Sequence, residues 1–183
     1  MRKVAVLMAE GFEESETLTI VDILRRAGIR CTTFGFKAGF VKGMHNIYVK
    51  ADCLFDETIK DYDVLVLPGG RPGGANLKEN PEVIEMVRYF DSQDKYIAAM
   101  CSGTVVLSDA GVINGKQVTG YTGYAEKLKG GIFKEEVVVF DQNIITSQGP
   151  ATPYPFAYKI AEVLGEDVSQ MKEKMLYNFA GGK

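Results

Sequence analysis

Tyr96-Ile97-Ala98-Ala99-Met100-Cys101-Ser102-Gly103-Thr104 reads as a short, continuously apolar strand that turns directly into a helix, with a thiol at the bend. Such a strand-to-helix elbow exposes the side chain at its apex and points the following backbone N–H groups toward the same side. Small residues at Ala98, Ala99 and Gly103 let strand and helix pack closely around the turn. A thiol at a helix N-terminus is expected to have a lowered pKa, because the dipole favours thiolate. The competing reading is a buried structural cysteine, a common fate of this residue.

Working outward, the same alternation of strand and helix continues in both directions. Upstream, Tyr62–Leu67 is a buried strand that stops at Pro68-Gly69-Gly70, and Asn80-Pro81 caps and opens a helix to about Gln93. Further back, Val4–Met8 is a strand, followed by a helix from about Glu14 to Arg26. That helix has acidic residues in its first turn, Arg25-Arg26 in its last, and Gly28 as its stop. Arg30–Phe36 is a second strand, and Gly39–Lys50 reads as a small hairpin excursion. Downstream, the elbow helix runs to about Asp109. Strands follow near Gln117–Thr119, Val137–Phe140 and Ile144–Ser147, then helices over Pro153–Leu164 and Val168–Leu176. The expected fold is α/β, a mostly parallel sheet covered on both faces, in one domain spanning residues 1–183.

Composition removes several function classes. Net charge is −3 with Lys and Arg scattered among Asp and Glu, so no basic stripe for nucleic acid exists. The longest apolar runs, such as Val64–Pro68, are too short to span a bilayer. The chain enters Lys3–Met8 without a leader pattern, and its 3 cysteines (Cys31, Cys53, Cys101) fit neither a disulfide framework nor a metal-ligand spacing. A cytoplasmic protein with no metal and no cofactor is expected. His45 is the one histidine, so any Cys–His machine would have to use it.

In such sheets ligands collect at the carboxyl ends of the strands. Three strand ends carry unusual residues: Ala9–Glu16, Pro68–Gly74 and Met100–Gly103. The N–H groups of Gly69, Gly70 and Ser102 are candidate oxyanion donors beside Cys101, with a plain tight turn as the alternative for the glycines. Gly69–Gly74 lacks the Lys-Ser/Thr of a phosphate loop, and no G-x-G-x-x-G follows the first strand. Glu16 shares helical spacing with Ile20, Ile23 and Ala27 and could face inward beside the thiol. Periodicity excludes neither Glu13 nor Glu14, and all three could instead cap a solvated first turn. A buried carboxyl would have a raised pKa.

Ala9–Thr17, Arg25-Arg26-Ala27-Gly28, Leu67-Pro68-Gly69-Gly70, Ala98–Gly103 and Thr146-Ser147-Gln148-Gly149-Pro150 together resemble the ThiJ/PfpI superfamily, most closely bacterial-type members of its DJ-one branch. The resemblance implies a flavodoxin-like (class I glutamine amidotransferase-like) three-layer sandwich, usually a homodimer in which the hairpin joins the dimer surface. It also implies a reactive cysteine at Cys101, a helix-borne Glu16 that contacts it, and oxyanion-type N–H groups at Gly69, Gly70 and Ser102. The peptidase-like branch has a histidine directly after the cysteine; Ser102 stands there, so proteolysis is not expected. The DJ-one branch often has a histidine where this chain has Tyr121. The expected activity is therefore a weak glyoxalase or deglycase chemistry on small aldehydes, with Cys101, Glu16 and Tyr121 as site residues. The alternative is a peroxide-sensing thiol or chaperone acting through Cys101 sulfinic acid.

Overall fold

A computed structural model describes residues 2–181. Seven strands form one sheet: β1 (Lys3–Met8), β2 (Arg30–Gly35), β5 (Cys53–Leu54), β6 (Val64–Leu67), β7 (Tyr96–Met100), β10 (Val138–Asp141) and β11 (Ile144–Ser147). Their order is β10-β11-β7-β6-β1-β2-β5. All neighbours pair in parallel except the edge hairpin β10–β11. The chain moves outward from β1 to β2 and then returns to place β6 on the other side of β1. That reversal opens a crevice beyond the carboxyl ends of β1 and β6, the place where such sheets bind ligands.

Alternation along each strand feeds two cores. Val4, Val6, Val64, Val66, Ala98 and Met100 meet helices α1 (Glu14–Arg26) and α5 (Pro153–Val163) through Ile20, Ile23, Leu24 and Phe156. Ala5, Leu7, Leu65, Leu67, Ile97 and Ala99 meet α2 (Gly73–Glu79), α3 (Pro81–Ser92) and α4 (Thr104–Ala110) through Leu77, Val87, Phe90, Val106 and Leu107. Each fully buried Leu, Ile or Phe contributes roughly 1.5–3 kcal/mol, so the two layers clamp the sheet from both sides. The three-layer, flavodoxin-like sandwich is the one expected.

Several boundaries differ from the sequence reading. The strand expected from Tyr62 starts at Val64; just before it, Asp63 donates its N–H to the Lys3 carbonyl (2.9 Å) and accepts the Lys3 N–H on its side chain (2.7 Å). Helix α2 was read as loop because two glycines open it. Its first N–H groups donate to loop carbonyls, Gly73 to Gly11 (3.1 Å) and Gly74 to Gly70 (3.0 Å). The last expected helix, Val168–Leu176, is α6 (Ser169–Lys174), and a further short helix, α7 (Tyr177–Ala180), follows it after Leu176, whose φ is 57°. Cys53 is exposed, in the edge strand β5. A short parallel pair, β8 (Gln117–Val118) with β9 (Ile132–Phe133), adds a strand that the sequence did not announce. Between β2 and β5 the hairpin β3 (Phe40–Lys42) and β4 (Tyr48–Lys50) folds back over the N-terminus of α1. It is fixed there by Gly11 N–H to the Lys42 carbonyl (2.7 Å) and Met44 N–H to the Phe12 carbonyl (2.9 Å). Among the described residues no helix is long and apolar enough to cross a membrane.

Candidate active site

The carboxyl ends of β1, β6 and β7 deliver the three expected segments to one crevice. Cys101 follows the last residue of β7 and has φ of 53°, a left-handed conformation that non-glycine residues rarely adopt. Its strain is held from both sides. The Thr104 hydroxyl donates to the Cys101 carbonyl (2.7 Å), and the Ser102 hydroxyl donates to the Gly70 carbonyl (3.0 Å), tying the elbow to the β6 loop. The thiol is 9% exposed, so it reaches the crevice without standing in solvent.

The three glutamates that periodicity could not separate have three different jobs. Glu13 caps α1, accepting the Glu16 N–H (2.6 Å) and the Ser15 hydroxyl (2.7 Å) on Oε2. Glu14 turns to the hairpin, where Oε1 accepts the His45 N–H (2.7 Å) and Oε2 faces His45 Nδ1 (2.8 Å). Glu16 points inward, is fully buried, and accepts the Gly69 N–H on Oε2 (2.8 Å), while its Oε1 has no hydrogen-bond partner among the described residues. All three are buried, so none is the solvated capping residue of the alternative reading.

Gly69 therefore differs from its expected role. Its N–H is directed at Glu16 and not at a developing oxyanion. The reason this position is glycine is spatial: a Cβ here would lie 2.7 Å from Cys101 Cβ and 2.8 Å from Glu16 Oε2. Gly70, with φ of 112°, lines the pocket beside Cys101, and its N–H and that of Ser102 act to lower the thiol pKa. Of the three expected donors, Gly70 and Ser102 are the two that line the pocket over Cys101.

Electrostatics at the thiol run against the helix-dipole expectation. Burial, followed by the charge of Glu16 and its hydrogen bond, pushes Cys101 up to about 12, and the Ser102 and Gly70 N–H groups only partly oppose this. The helix beyond the elbow is weak support: a single 3-10 turn, Cys101–Gly103, precedes the seven-residue α4. Burial likewise pushes Glu16 up to about 7, against the lowering effect of its hydrogen bonds with Cys101 and the Gly69 N–H. Thiol and carboxyl are one coupled acid that releases two protons in separate steps. With one proton on the pair, the thiol is the group that keeps it and Glu16 is the carboxylate.

A pocket of about 260 Å³ opens over the sulfur. Cys101, Ser102 and Gly70 form its floor; Glu13, Met44, Arg71, Tyr121, Tyr124 and Pro150 complete the wall. Tyr121 is therefore at the site, its ring edge-on to Tyr124 with centroids 5.6 Å apart. Met44, Arg71, Tyr124 and Pro150 were missed as site residues. Arg71 and Pro150 lay within motifs already singled out, whereas nothing in local spacing marks Met44 or Tyr124. Cys31 is buried away from the site in the α1–α5 core, and burial pushes it up to about 12.

The DJ-1/PfpI family model matches residues 2–163, with the elbow, the Glu16 helix and the Gly69-Gly70 turn inside it. The chain belongs to the DJ-1/PfpI family. It is 37% identical to protein dj-1beta of Drosophila melanogaster, covering 93% of this chain and 95% of that one. It is 31% identical to the deglycase PfpI of Pyrococcus furiosus, covering 88% and 99%. The crystal structure of Drosophila melanogaster DJ-1beta superposes with a TM-score of 0.91 at 35% identity, over 96% of this chain and 97% of that one.

Proposed function

We propose that this family member is a cytoplasmic thiol enzyme that converts small 2-oxoaldehydes such as methylglyoxal to hydroxy acids without a cofactor. The observation that carries the reading is the Cys101–Glu16 couple beneath an open pocket, with Gly70 and Ser102 lining it beside the sulfur. Glu16 takes the thiol proton as sulfur adds to the aldehyde carbon. The carbonyl electron pair moves to oxygen, which recovers that proton and gives a hemithioacetal. Glu16 then carries the C1 proton to C2 while the C1 hydroxyl proton passes to the C2 oxygen through an enediol, so C1 is oxidised to a thioester as the ketone carbon is reduced to an alcohol. Water cleaves the thioester, releasing lactate and the thiol. Methylglyoxal plus water thus becomes lactate with no outside oxidant or reductant. The Pyrococcus furiosus relative is named a deglycase, and the same sulfur addition would act on early glycation adducts.

Tyr121 makes this a slow catalyst. A phenol donates a hydrogen bond well but is a poor base at neutral pH, and general-base assistance is worth roughly 100- to 10,000-fold. The test is lactate release from methylglyoxal by the wild type and by Cys101→Ser. Slow, Cys101-dependent release is expected; equal release by both proteins would overturn the reading.

One observation favours a second role. Glu16 Oε1 is buried without a partner, and an oxygen added to Cys101 would supply one. Peroxide would oxidise the sulfur to sulfenic and then sulfinic acid, each step reducing one peroxide to water. Intact mass after graded peroxide should show a two-oxygen gain that disappears in Cys101→Ser. We also propose a homodimer. Leu18 of α1 and Phe40 and Tyr48 of the adjoining hairpin leave large apolar side chains 38%, 61% and 60% exposed. Light scattering should give twice the mass of one chain, and a monomer would refute it.

A further inference from the structure

The N-terminus of α1 and the turn of the hairpin bring Glu13, Glu14 and His45 together, and each can present one ligand atom within 4.8 Å of the others. His45 Nδ1 lies 2.8 Å from Glu14 Oε2 and 3.9 Å from Glu13 Oε1. Both carboxylate side chains are buried, at 7% and 8% exposure, while the imidazole is 60% exposed and leaves a way in. Neither carboxylate is a loose surface group. Each is anchored through one oxygen and turns the other toward the imidazole. Glu13 Oε2 accepts the Glu16 N–H and the Ser15 hydroxyl, whereas Oε1 accepts no hydrogen bond among the described residues. Glu14 Oε1 accepts the N–H groups of His45 (2.7 Å) and Ile47 (3.4 Å), leaving Oε2 to the ring.

We propose that Glu13 Oε1, Glu14 Oε2 and His45 Nδ1 bind one divalent transition-metal cation of the zinc class at the wall of the Cys101 pocket. The donor set is one imidazole nitrogen and two carboxylate oxygens, which suits a four-coordinate zinc-like ion with its last position open to water or a pocket ligand. It offers too few oxygens for calcium or magnesium. Metal–ligand bonds of about 2.0–2.1 Å in a tetrahedron place the ligand atoms about 3.3 Å apart. The two separations to Nδ1, 2.8 and 3.9 Å, bracket that value, and all three ligand atoms lie within 4.8 Å of one another, so the site closes by a contraction of side chains already anchored from behind. The backbone hydrogen bonds to the far carboxylate oxygens are the outer support that holds ligands in orientation. Metal would take the place of the Nδ1–Glu14 hydrogen bond, with the ring N–H then on Nε2. Because Glu13 and Met44 both line the pocket, the ion would lie beside the reactive thiol without using it as a ligand. This inference does not rest on the aldehyde reading.

His45 is the only histidine in the chain, so its ring nitrogen signals need no assignment. The experiment is a Zn2+ titration of Cys53→Ser/Cys101→Ser protein, followed by calorimetry and by imidazole nitrogen NMR. These replacements remove the two thiols that are not enclosed in the core. One Zn2+ per chain and a shift of the His45 Nδ1 signal are expected, with affinity falling at least tenfold in His45→Gln and in Glu13→Gln. His45→Gln changes a mostly exposed ring and keeps the fold, and the Glu13→Gln amide oxygen still caps α1. No 1:1 binding, an unmoved Nδ1 signal, or unchanged affinity in His45→Gln would each overturn the proposal.

Discussion

Replacing Glu16 by Gln should flatten the dependence of stability on pH. In the unfolded chain this carboxyl titrates near its ordinary value of 4.5; in the folded protein burial pushes it up to about 7. Between those values the native state keeps a proton that the unfolded state has released. The stability contribution is therefore complete below about 4.5 and is lost as pH rises through about 7. At 1.36 kcal/mol per pKa unit the whole effect is about 3 kcal/mol, of which about 2.5 kcal/mol falls between pH 5 and 8. Glutamine matches the shape and its amide oxygen can still accept the Gly69 N–H, so the variant changes charge more than packing. The assay is urea unfolding of both proteins across pH 5 to 8. That window stays above the range where Glu14 and Asp52, both held below their ordinary values, contribute in the opposite sense. It also stays below the ionisation of unfolded cysteine, near 8.5. All other groups are common to the two proteins, so the difference in slope belongs to Glu16. The wild type should lose about 2.5 kcal/mol more than Glu16→Gln over the window. Parallel curves would refute a carboxyl raised by burial, and with it the proton relay assigned to Glu16.

The same variant should make Cys101 more nucleophilic, because the carboxylate charge that helps raise the thiol is gone; iodoacetamide labelling of Cys101 at pH 8 should accelerate at least tenfold, while Cys31 stays unlabelled in the native protein. Gly69→Ala places a methyl 2.7 Å from Cys101 Cβ and 2.8 Å from Glu16 Oε2; overpacking of this kind costs about 1–3 kcal/mol, and methylglyoxal turnover should fall with a Tm drop measurable by calorimetry. Tyr121→His puts an imidazole in the pocket wall and should raise lactate release about 100-fold or more if proton transfer limits turnover; no gain would assign Tyr121 to substrate binding alone.

The fold was legible because the informative signals were local. The strands Lys3–Met8, Tyr96–Met100 and Ile144–Ser147 and the helix Glu14–Arg26 appear within the boundaries their patterns imply, since continuous apolar runs can persist only in a sheet buried on both faces. What local pattern did not carry was structure made by distant partners. Gly73–Glu79 is helical because the Gly11 and Gly70 carbonyls receive its first N–H groups, and no window of sequence contains that arrangement. Cys53–Leu54 becomes a strand only because β2 offers it a free edge.

The site divides along the same line. Cys101, Ser102 and Gly70 are adjacent to sharp turns, and the turn chemistry named them. Glu16 needed the third dimension, because three glutamates within four residues share one helical turn and only the neighbours tell them apart. Gly69 shows how chemistry inferred from residue type can go astray: a glycine N–H beside a thiol suggests an oxyanion donor, yet its actual acceptor is the Glu16 carboxylate, 53 residues away. The thiol pKa fails for a related reason. A helix N-terminus lowers it in isolation, but here burial first, and then the charge of Glu16, 85 residues upstream, raise it. The net effect is a thiol that burial and the charge of Glu16 together hold in its protonated form.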